Sequence, residues 1–219
     1  DTGSNDEYLG YGVHAGLSAA FGQQTIRPWR LLHDNRRPPR ILGYTREDAQ
    51  ALRRRLHEFA EPSVYAVCPD PDERIATRKM PRWDSGRRLG FEVQCCPVGR
   101  KAGSGIEKDI FLIRADATEG KETLNREAVY CDWIRERLER NNACSVTKAG
   151  LAGFRLVRQS RQTQKNRSLR EKRRLIRPLA LIRGELVINN PESFEALLSH
   201  GIGRHLAFGY GMLLLRPAS

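Results

Sequence analysis

The sequence predicts an α+β protein made of tandem ferredoxin-like domains with antiparallel sheets. Two observations support this prediction. Short apolar segments with strand character alternate with amphipathic helical segments, and the order of these segments in the first half returns in the second half. The second half reads β-α-β-β-α-β, which is a complete ferredoxin-like unit. The first half reads α-β-β-α-β, the same unit without its leading strand, which we expect to lie upstream of the given sequence.

The first domain is expected to span residues 1–75. Its expected elements are a helix at Tyr11–Phe21, strands at Trp29–Leu32 and Ile41–Tyr44, a helix at Arg46–Phe59, and a strand at Ser63–Cys68. The second of these helices is favoured by Thr45, which can cap it, and by Glu47 and Asp48, because negative charge in a first helical turn is stabilised by the helix dipole.

A basic linker at residues 76–88 is expected to lead into the second domain, residues 89–219. The expected elements there are a strand at Leu89–Val98, a helix at Leu124–Arg140, strands at Gly153–Val157 and Leu179–Ile188, a helix at Pro191–Ser199, and a strand at Met212–Leu215. Two features interrupt this pattern. One is an arginine-rich insertion at about 158–177, and the other is a glycine-rich loop at 201–211.

Positive charge is concentrated in one segment of the chain. The formal net charge is +12, and residues 155–177 hold ten basic side chains against the single acid Glu171. A solvated surface would scatter its charges, so this concentration indicates an element that contacts a polyanion such as a nucleic-acid backbone. Arg167, Arg170, Arg174 and Arg177 would share one face if the segment were helical. The alternative is a mobile charged loop.

Other function classes are disfavoured by composition. No apolar run approaches the roughly 18 to 20 residues that a membrane span requires. The five cysteines include no C-x-x-C pair, so we expect reduced thiols in a cytoplasmic protein, with no metal site and no cofactor. Trp133, on an amphipathic helix, is expected to belong to the core.

The C-terminal stretch Gly184–Pro217 carries the most specific pattern in the chain. A strand ends in an Asn-rich turn, a short helix follows, and then comes G-I-G-x-x-x-A-x-G-x-G before a final apolar strand. This stretch resembles the end of the CRISPR repeat-processing endoribonucleases of the RAMP superfamily, most of all those of the CasE type in the Cascade complex. The resemblance implies that Gly201, Gly203, Gly209 and His205 contact RNA.

The N-terminal segment Y-G-V-H-A-G-L-S-A-A-F resembles the first helix of the same family. The family's catalytic histidine and the tyrosine three residues before it match His14 and Tyr11. CasE-type proteins can carry a basic residue about one turn later, where this chain has Ala19. Arg27, Arg30 and Arg204 are candidates to supply that charge, and we count Arg204 with the catalytic residues. The basic insertion also leaves open a relative from a type IV system, in which arginines are central.

The resemblance implies a metal-independent endoribonuclease that binds the repeat stem-loop of precursor crRNA. The ribose 2′-hydroxyl attacks the scissile phosphate at the 3′ base of the hairpin, and a 2′,3′-cyclic phosphate results. The enzyme then stays bound to the mature crRNA beside other Cas subunits of a type I-E or type IV effector complex. The alternative is a non-catalytic scaffold that binds the same hairpin.

The remaining RNA-binding candidates come from the residue types themselves. Trp83 lies among arginines and could stack on a base. The full set of basic and aromatic candidates is Arg27, Arg30, Arg82, Trp83, Arg158, Arg161, Lys165, Arg167, Arg170, Arg173, Arg174 and Arg177.

Overall fold

The structure is a computed structural model that describes residues 5–34, 37–59, 62–65, 68–100, 106–118, 123–166 and 169–218. At residues 5–8, 34, 37, 59, 63, 159–166 and 169–175 the description is of the backbone alone. In chain order the elements are α1 (Asn5–Phe21), β1 (Trp29–Asp34), β2 (Arg37–Gly43), α2 (Ala49–Phe59), α3 (Pro62–Tyr65), α4 (Pro71–Arg74), β3 (Arg88–Cys95), β4 (Val98–Arg100), β5 (Glu107–Asp109), α5 (Ile110–Ala117), α6 (Arg126–Leu138), β6 (Cys144–Asn166), β7 (Leu169–Ile188), α7 (Pro191–His200) and β8 (Leu213–Pro217).

The second half is organised around a four-stranded sheet in the order β6-β7-β3-β8. Every strand pair in this sheet is antiparallel. Helix α6 connects β3 to β6, and α7 connects β7 to β8. This order and connectivity are those of a ferredoxin-like unit. The α+β class with antiparallel, ferredoxin-like architecture is therefore confirmed.

Strand β3 separates the core from the open face of this sheet. Phe91 and Val93 are fully buried in a cluster that includes Trp133 of α6 and Phe194 of α7, as expected for Trp133. Successive side chains of a strand point to opposite faces, so Glu92 lies on the face away from these helices. That open face forms part of the cleft described below.

The first half packs α1 and α2 around their own apolar cluster, which contains Phe21, Leu52 and Leu56. Strands β1 and β2 pair as an antiparallel hairpin. The strand expected at Ser63–Cys68 is wrong at its beginning, because residues Pro62–Tyr65 form the short helix α3. Proline at a first helical position has a backbone angle already suited to a helix. Residues 66 and 67 of that expected strand lie outside the described residues.

The arginine-rich insertion is a long β-hairpin and not a helix. Strands β6 and β7 pair continuously from Cys144 opposite Ile188 to Asn166 opposite Leu169. The possibility that these arginines share one face of a helix is therefore wrong. A hairpin set in register at its base can extend residue by residue, since each added pair completes backbone hydrogen bonds. The strands expected at 153–157 and 179–188 are correct but are segments of this longer ladder.

Two smaller differences lie between β3 and α6. The strand expected to reach Val98 ends at Cys95 and resumes as β4 after Pro97, because proline has no N–H to donate to the ladder. Helix α5 was not expected. Its first turn is capped by Asp109, whose Oδ1 accepts a hydrogen bond from the Phe111 N–H at 2.9 Å.

The two halves meet along the glycine-rich loop. A Cβ at Gly10 of α1 would lie 3.1 Å from the carbonyl oxygen of Phe208, so the helix approaches the loop closely at that point. A Cβ at Gly201 would lie 3.0 Å from the ring of Pro28. The loop therefore touches both α1 and the chain leading into β1, and a cleft opens beside these contacts.

Candidate active-site cleft

A cleft of about 950 Å³ opens between the two halves. Its walls come from α1 and β1 of the first half, and from β3, the β6–β7 hairpin and the glycine-rich loop of the second half. The basic side chains that line it are Arg27, Arg30, His33, Arg40, Arg100, Arg155, Arg177, Arg204 and His205. Among the described residues, only Glu92 and Glu107 contribute carboxylates to the lining. The cleft is therefore suited to an anionic ligand.

Glu107 gathers three basic groups at one place in this cleft. Its Oε2 lies 2.8 Å from Nη2 of Arg177 and 3.0 Å from Nε2 of His205, and its Oε1 lies 2.5 Å from Nε of Arg204. Arg177 also donates from Nη1 to the backbone oxygen of Glu107 at 3.1 Å. These contacts join β5, β7 and the glycine-rich loop. No motif in the sequence singles out Glu107.

The electrostatics of this cluster fix the charge of each member. Burial raises the pKa of the Glu107 carboxyl, but His205, Arg177 and Arg204 outweigh burial and hold that pKa below its ordinary value. Burial lowers the pKa of His205, and Arg177 adds to this effect although Glu107 opposes it. At neutral pH the carboxylate is ionised and the imidazole is neutral. Since an ionised carboxylate only accepts, His205 carries its proton on Nε2 and presents Nδ1 as an acceptor.

Tyr11 and His14 on α1 stand at the edge of the same cleft. Tyr11 lines it, and its side chain is 44% exposed. His14 is not part of the lining given by the described residues, but its ring lies edge-on to Phe208 with the centroids 5.9 Å apart. The ring of His205 lies beside the same phenyl ring, with the centroids 6.3 Å apart. Phe208 therefore links the two histidines, one from each end of the chain.

Arg30 lies deeper in the cleft than Arg27. Its Nη2 is 3.2 Å from Oε1 of Glu92, whose Oε2 is 2.7 Å from Nε of Arg183. Burial lowers the pKa of Arg30, although Glu92 counters this. Its Nη1 is buried without a hydrogen-bond partner among the described residues. Arg27 donates to Oε1 of Gln24 at 3.2 Å and also lines the cleft.

The glycine-rich loop presents its side chains from an unusual backbone. Gly201, Gly203 and Gly209 all have positive φ angles, as the turns of this loop require. His205 also has a positive φ, of 64°, a conformation that is uncommon for a residue with a side chain and that often marks functional sites. The resemblance assigned RNA contacts to this loop, and the structure places it in the cleft.

The hairpin contributes to the cleft through its base. Arg155 and Arg177 line the cleft, whereas Arg158 is exposed further along β6. The backbone of Arg161, Lys165, Arg170, Arg173 and Arg174 follows the two strands, and their side chains lie outside the described parts. Arg167 lies wholly outside the described residues.

Arg82 and Trp83 lie apart from the cleft. Arg82 is exposed, but Trp83 is half-buried and packs edge-on against Phe194, with the ring centroids 5.4 Å apart. The guanidinium of Arg87 lies over the Trp83 ring, 5.5 Å from its centroid. The structure therefore gives Trp83 a packing contact, and base stacking by this residue stays a prediction.

A comparison with known protein families identifies the family of this chain. The family model described as CRISPR associated protein matches residues 3–217. The chain belongs to this family. No curated protein sequence matches it. The resemblance inferred from the two ends of the sequence is confirmed for this CRISPR-associated protein.

Solved structures match this CRISPR-associated protein along nearly its whole length. The CRISPR endoribonuclease Cse3 bound to a 19-nucleotide RNA is 21% identical, with a TM-score of 0.64 over 98% of this chain and 95% of that one. Cas6e from Escherichia coli K-12 is 16% identical, with a TM-score of 0.52 over 95% and 92%. A chain of a CRISPR RNA-guided surveillance complex is 16% identical, with a TM-score of 0.57 over 95% and 93%. At these identities the matches establish a shared fold.

Among the described residues, no group of three or more His, Cys, Asp or Glu side chains is arranged to hold a metal ion. In the part of the chain that the structure describes, no helix has both the length and the apolar character needed to cross a membrane.

Proposed function

We propose that this protein is an endoribonuclease that matures CRISPR RNA in the cytoplasm. It binds the repeat hairpin of precursor crRNA, cuts at the 3′ base of that hairpin, and remains on the mature crRNA as a subunit of a type I-E or type IV effector complex. The observation that carries the proposal is the cleft that brings Tyr11, from one end of the chain, together with Arg204 and His205 from the other.

Three further facts support the proposal. The chain belongs to a family of CRISPR-associated proteins. Its fold is shared with a CRISPR endoribonuclease bound to RNA and with a chain of an RNA-guided surveillance complex. In the cleft lining, nine basic side chains face only two carboxylates among the described residues, a balance that suits a phosphodiester substrate.

The proposed reaction is a transesterification within the RNA. The 2′-oxygen of the upstream ribose bonds to phosphorus, and the bond from phosphorus to the 5′-oxygen of the next nucleotide breaks. A base takes the 2′ proton, and an acid protonates the 5′-oxygen. The products are a 2′,3′-cyclic phosphate and a 5′-hydroxyl. Because the substrate supplies its own nucleophile, the protein needs only proton transfer and charge stabilisation, and no metal ion.

The residues have separate roles in this proposal. His14, oriented by Tyr11, transfers a proton, because an imidazole ring can both accept and donate one. Arg204 stabilises the negative charge that develops on the phosphorus oxygens. The first half, residues 1–75, supplies His14, and the second half, residues 89–219, supplies Arg204 and the RNA-binding hairpin. The basic linker at 76–88 joins these two proposed domains.

The scaffold alternative is favoured by one observation. His14 is not among the described residues that line the cleft, although it contacts the lining residue Phe208, and Ala19 supplies no charge one turn later. A protein that had lost the chemistry could still bind the hairpin through its basic cleft and arm.

Single-turnover cleavage in EDTA tests both possibilities. Wild type should cut the cognate repeat hairpin once, and mass spectrometry should find a cyclic phosphate. His14→Ala should slow cutting by about 10²- to 10⁴-fold while affinity stays within a few fold. His57→Ala is the matched control, because His57 lies on α2 against Asp72 and away from the cleft.

Each outcome separates the possibilities. Normal cutting by His14→Ala with loss of cutting by Arg204→Ala would transfer the central role to the arginine. Tight hairpin binding without cutting by wild type would favour the scaffold. An equal affinity for hairpins and arbitrary polyanions at near-physiological salt would refute both.

A further inference from the structure

Glu107 is a carboxylate in a cleft that is built for an anion, and its presence there needs a reason. It lies on β5, and only 12% of its side chain is exposed. A carboxylate that occupied the place of an RNA phosphate and moved away on binding would be expected on a flexible, exposed segment. Glu107 is instead fixed by contacts to three basic groups and by a backbone bond from Arg177. It therefore belongs to the permanent architecture of the cleft.

The two arginines use this carboxylate in different ways. Arg177 commits both of its terminal nitrogens to Glu107, one to the carboxylate and one to the backbone oxygen, and its side chain is 10% exposed. It anchors the hairpin to β5. Arg204 meets Oε1 through Nε, and its side chain is 41% exposed. Arg204, the more exposed of the two arginines, also lines the cleft.

We propose that Glu107 is a positioning residue that holds the Nε of Arg204 so that the paired Nη groups of this guanidinium face a phosphodiester in the cleft. The terminal nitrogens of arginine form a planar fork that fits two phosphate oxygens. A free arginine side chain would sample many rotamers, whereas one held at Nε keeps its fork in one orientation. The inference rests on the proposed function, and it identifies the group that Arg204 meets as an RNA backbone phosphate.

The two effects of Glu107 on RNA have opposite signs, which makes the inference testable. Glu107→Gln removes one negative charge from a basic cleft, so RNA affinity should be equal or up to about 3-fold tighter. The same change releases Arg204, so single-turnover cleavage should slow by at least about 10-fold. A variant that merely folded poorly would lose both affinity and rate.

A double-mutant cycle shows whether Glu107 acts through Arg204. If it does, cleavage by Glu107→Gln/Arg204→Ala should be as slow as that by Arg204→Ala alone. Without the Arg204 guanidinium, Glu107→Gln has no group whose position it can change. Rate losses that multiply in the double variant would overturn the inference. So would a Glu107→Gln rate within about 3-fold of wild type.

Glu185→Gln is the matched control. Glu185 is also nearly buried, with 9% of its side chain exposed, and it also lies between two basic groups, Lys148 at 3.4 Å and Arg88 at 3.6 Å. It does not line the cleft. This variant should cut like wild type, and equal slowing in both variants would overturn the assignment to Glu107.

A spectroscopic arm keeps this inference separate from the proposed function. In ¹H–¹⁵N spectra of the full chain, the Nε–H signal of Arg204, assigned by its absence in Arg204→Ala, should be slowly exchanging in wild type and lost or exchange-broadened in Glu107→Gln. Inorganic phosphate should shift the wild-type signal. If the wild type cuts no RNA, the proposed function alone is refuted. If the Arg204 Nε–H signal is unchanged both in Glu107→Gln and on addition of phosphate, the inference is refuted.

Discussion

The indole ring of Trp29 occupies the space that a side chain at Gly209 would need. A Cβ at Gly209 would lie 2.7 Å from Cζ3 and 2.9 Å from Cη2 of that ring, closer than real Cβ contacts come. Trp29 is 2% exposed, and Gly209 has a φ of +83°. The glycine-rich loop thus packs on β1 only because this position has no side chain, and this contact holds one wall of the cleft.

Gly209→Ala should destabilise the protein by about 2 to 5 kcal/mol. The left-handed backbone costs about 1 to 2 kcal/mol for a residue with a Cβ. Overpacking against the buried ring adds about 1 to 3 kcal/mol. Equilibrium urea unfolding measures the change. Gly16→Ala is the control, because a Cβ there has nothing within 4 Å and should stabilise helix α1 by about 0.5 to 1 kcal/mol. Equal stability of Gly209→Ala and wild type would contradict the packing described here.

The cluster around Glu107 predicts that stability falls as pH drops below about 6.5. The pKa of His205 is lowered in the folded protein, chiefly by burial, so the unfolded chain binds a proton first as pH falls. Stability from this group is therefore full above the unfolded pKa and is lost between that value and the lower folded one. Glu107 adds a second loss at more acidic pH, because its folded pKa is also lowered despite the opposing effect of burial.

His205→Gln tests both contributions together. It should remove the loss of unfolding free energy that begins near pH 6.5, and it should also reduce the more acidic loss from Glu107, because only Arg177 and Arg204 then hold the pKa of that carboxyl down. Urea unfolding of both proteins at several pH values between 4 and 8 measures this. The same pH profile in wild type and in His205→Gln would assign the loss to other groups.

The five thiols should differ sharply in reactivity. Cys95, Cys96, Cys131 and Cys144 are buried, and burial raises the pKa of Cys96 and Cys144 to about 12. Burial also raises the pKa of Cys68, but this thiol is only partly covered. A disulfide reagent should therefore label Cys68 first in the native protein and all five thiols in urea. Persistence of the fast phase in Cys68→Ser would contradict this assignment.

Elements with a local period could be read from the sequence. Helix α7 was expected at Pro191–Ser199 and is observed at Pro191–His200, because proline at its start and an apolar stripe along it are both local signals. Its cap, Asn190, accepts a hydrogen bond from the Ser193 N–H at 2.9 Å. The glycine-rich loop was also recognisable, since its glycines are needed at positions with positive φ.

The centre of the cleft could not be read in this way. Glu107 and His205 are 98 residues apart, and no motif surrounds Glu107 that would pair it with the loop. The β-hairpin at the arginine-rich insertion could not be predicted for a related reason. A polar, arginine-rich segment satisfies a helical spacing as readily as a strand, and the pairing of β6 with β7 that decides between them lies beyond any short window.

Shortening the hairpin tests the role of its charge in RNA binding. Residues 159–175 carry seven basic residues and one acid, and they lie beyond the described core cluster of the sheet. Replacing them with a two-residue Asn-Gly turn between Arg158 and Ile176 should leave unfolding free energy within about 1 kcal/mol of wild type. The slope of log affinity against log salt should become shallower by at least about 2. With fewer phosphate contacts, fewer counterions are released when RNA binds.

A second variant separates charge from length. Replacing the seven basic residues with glutamine keeps the full hairpin but should reproduce the shallower salt slope, because counterion release depends on charge. Fluorescence anisotropy with a labelled repeat hairpin from 50 to 300 mM salt measures both variants. If the shortened protein loses affinity but the glutamine variant keeps the wild-type slope, the hairpin contributes shape rather than charge, because its strands would then bind RNA without neutralising the phosphates.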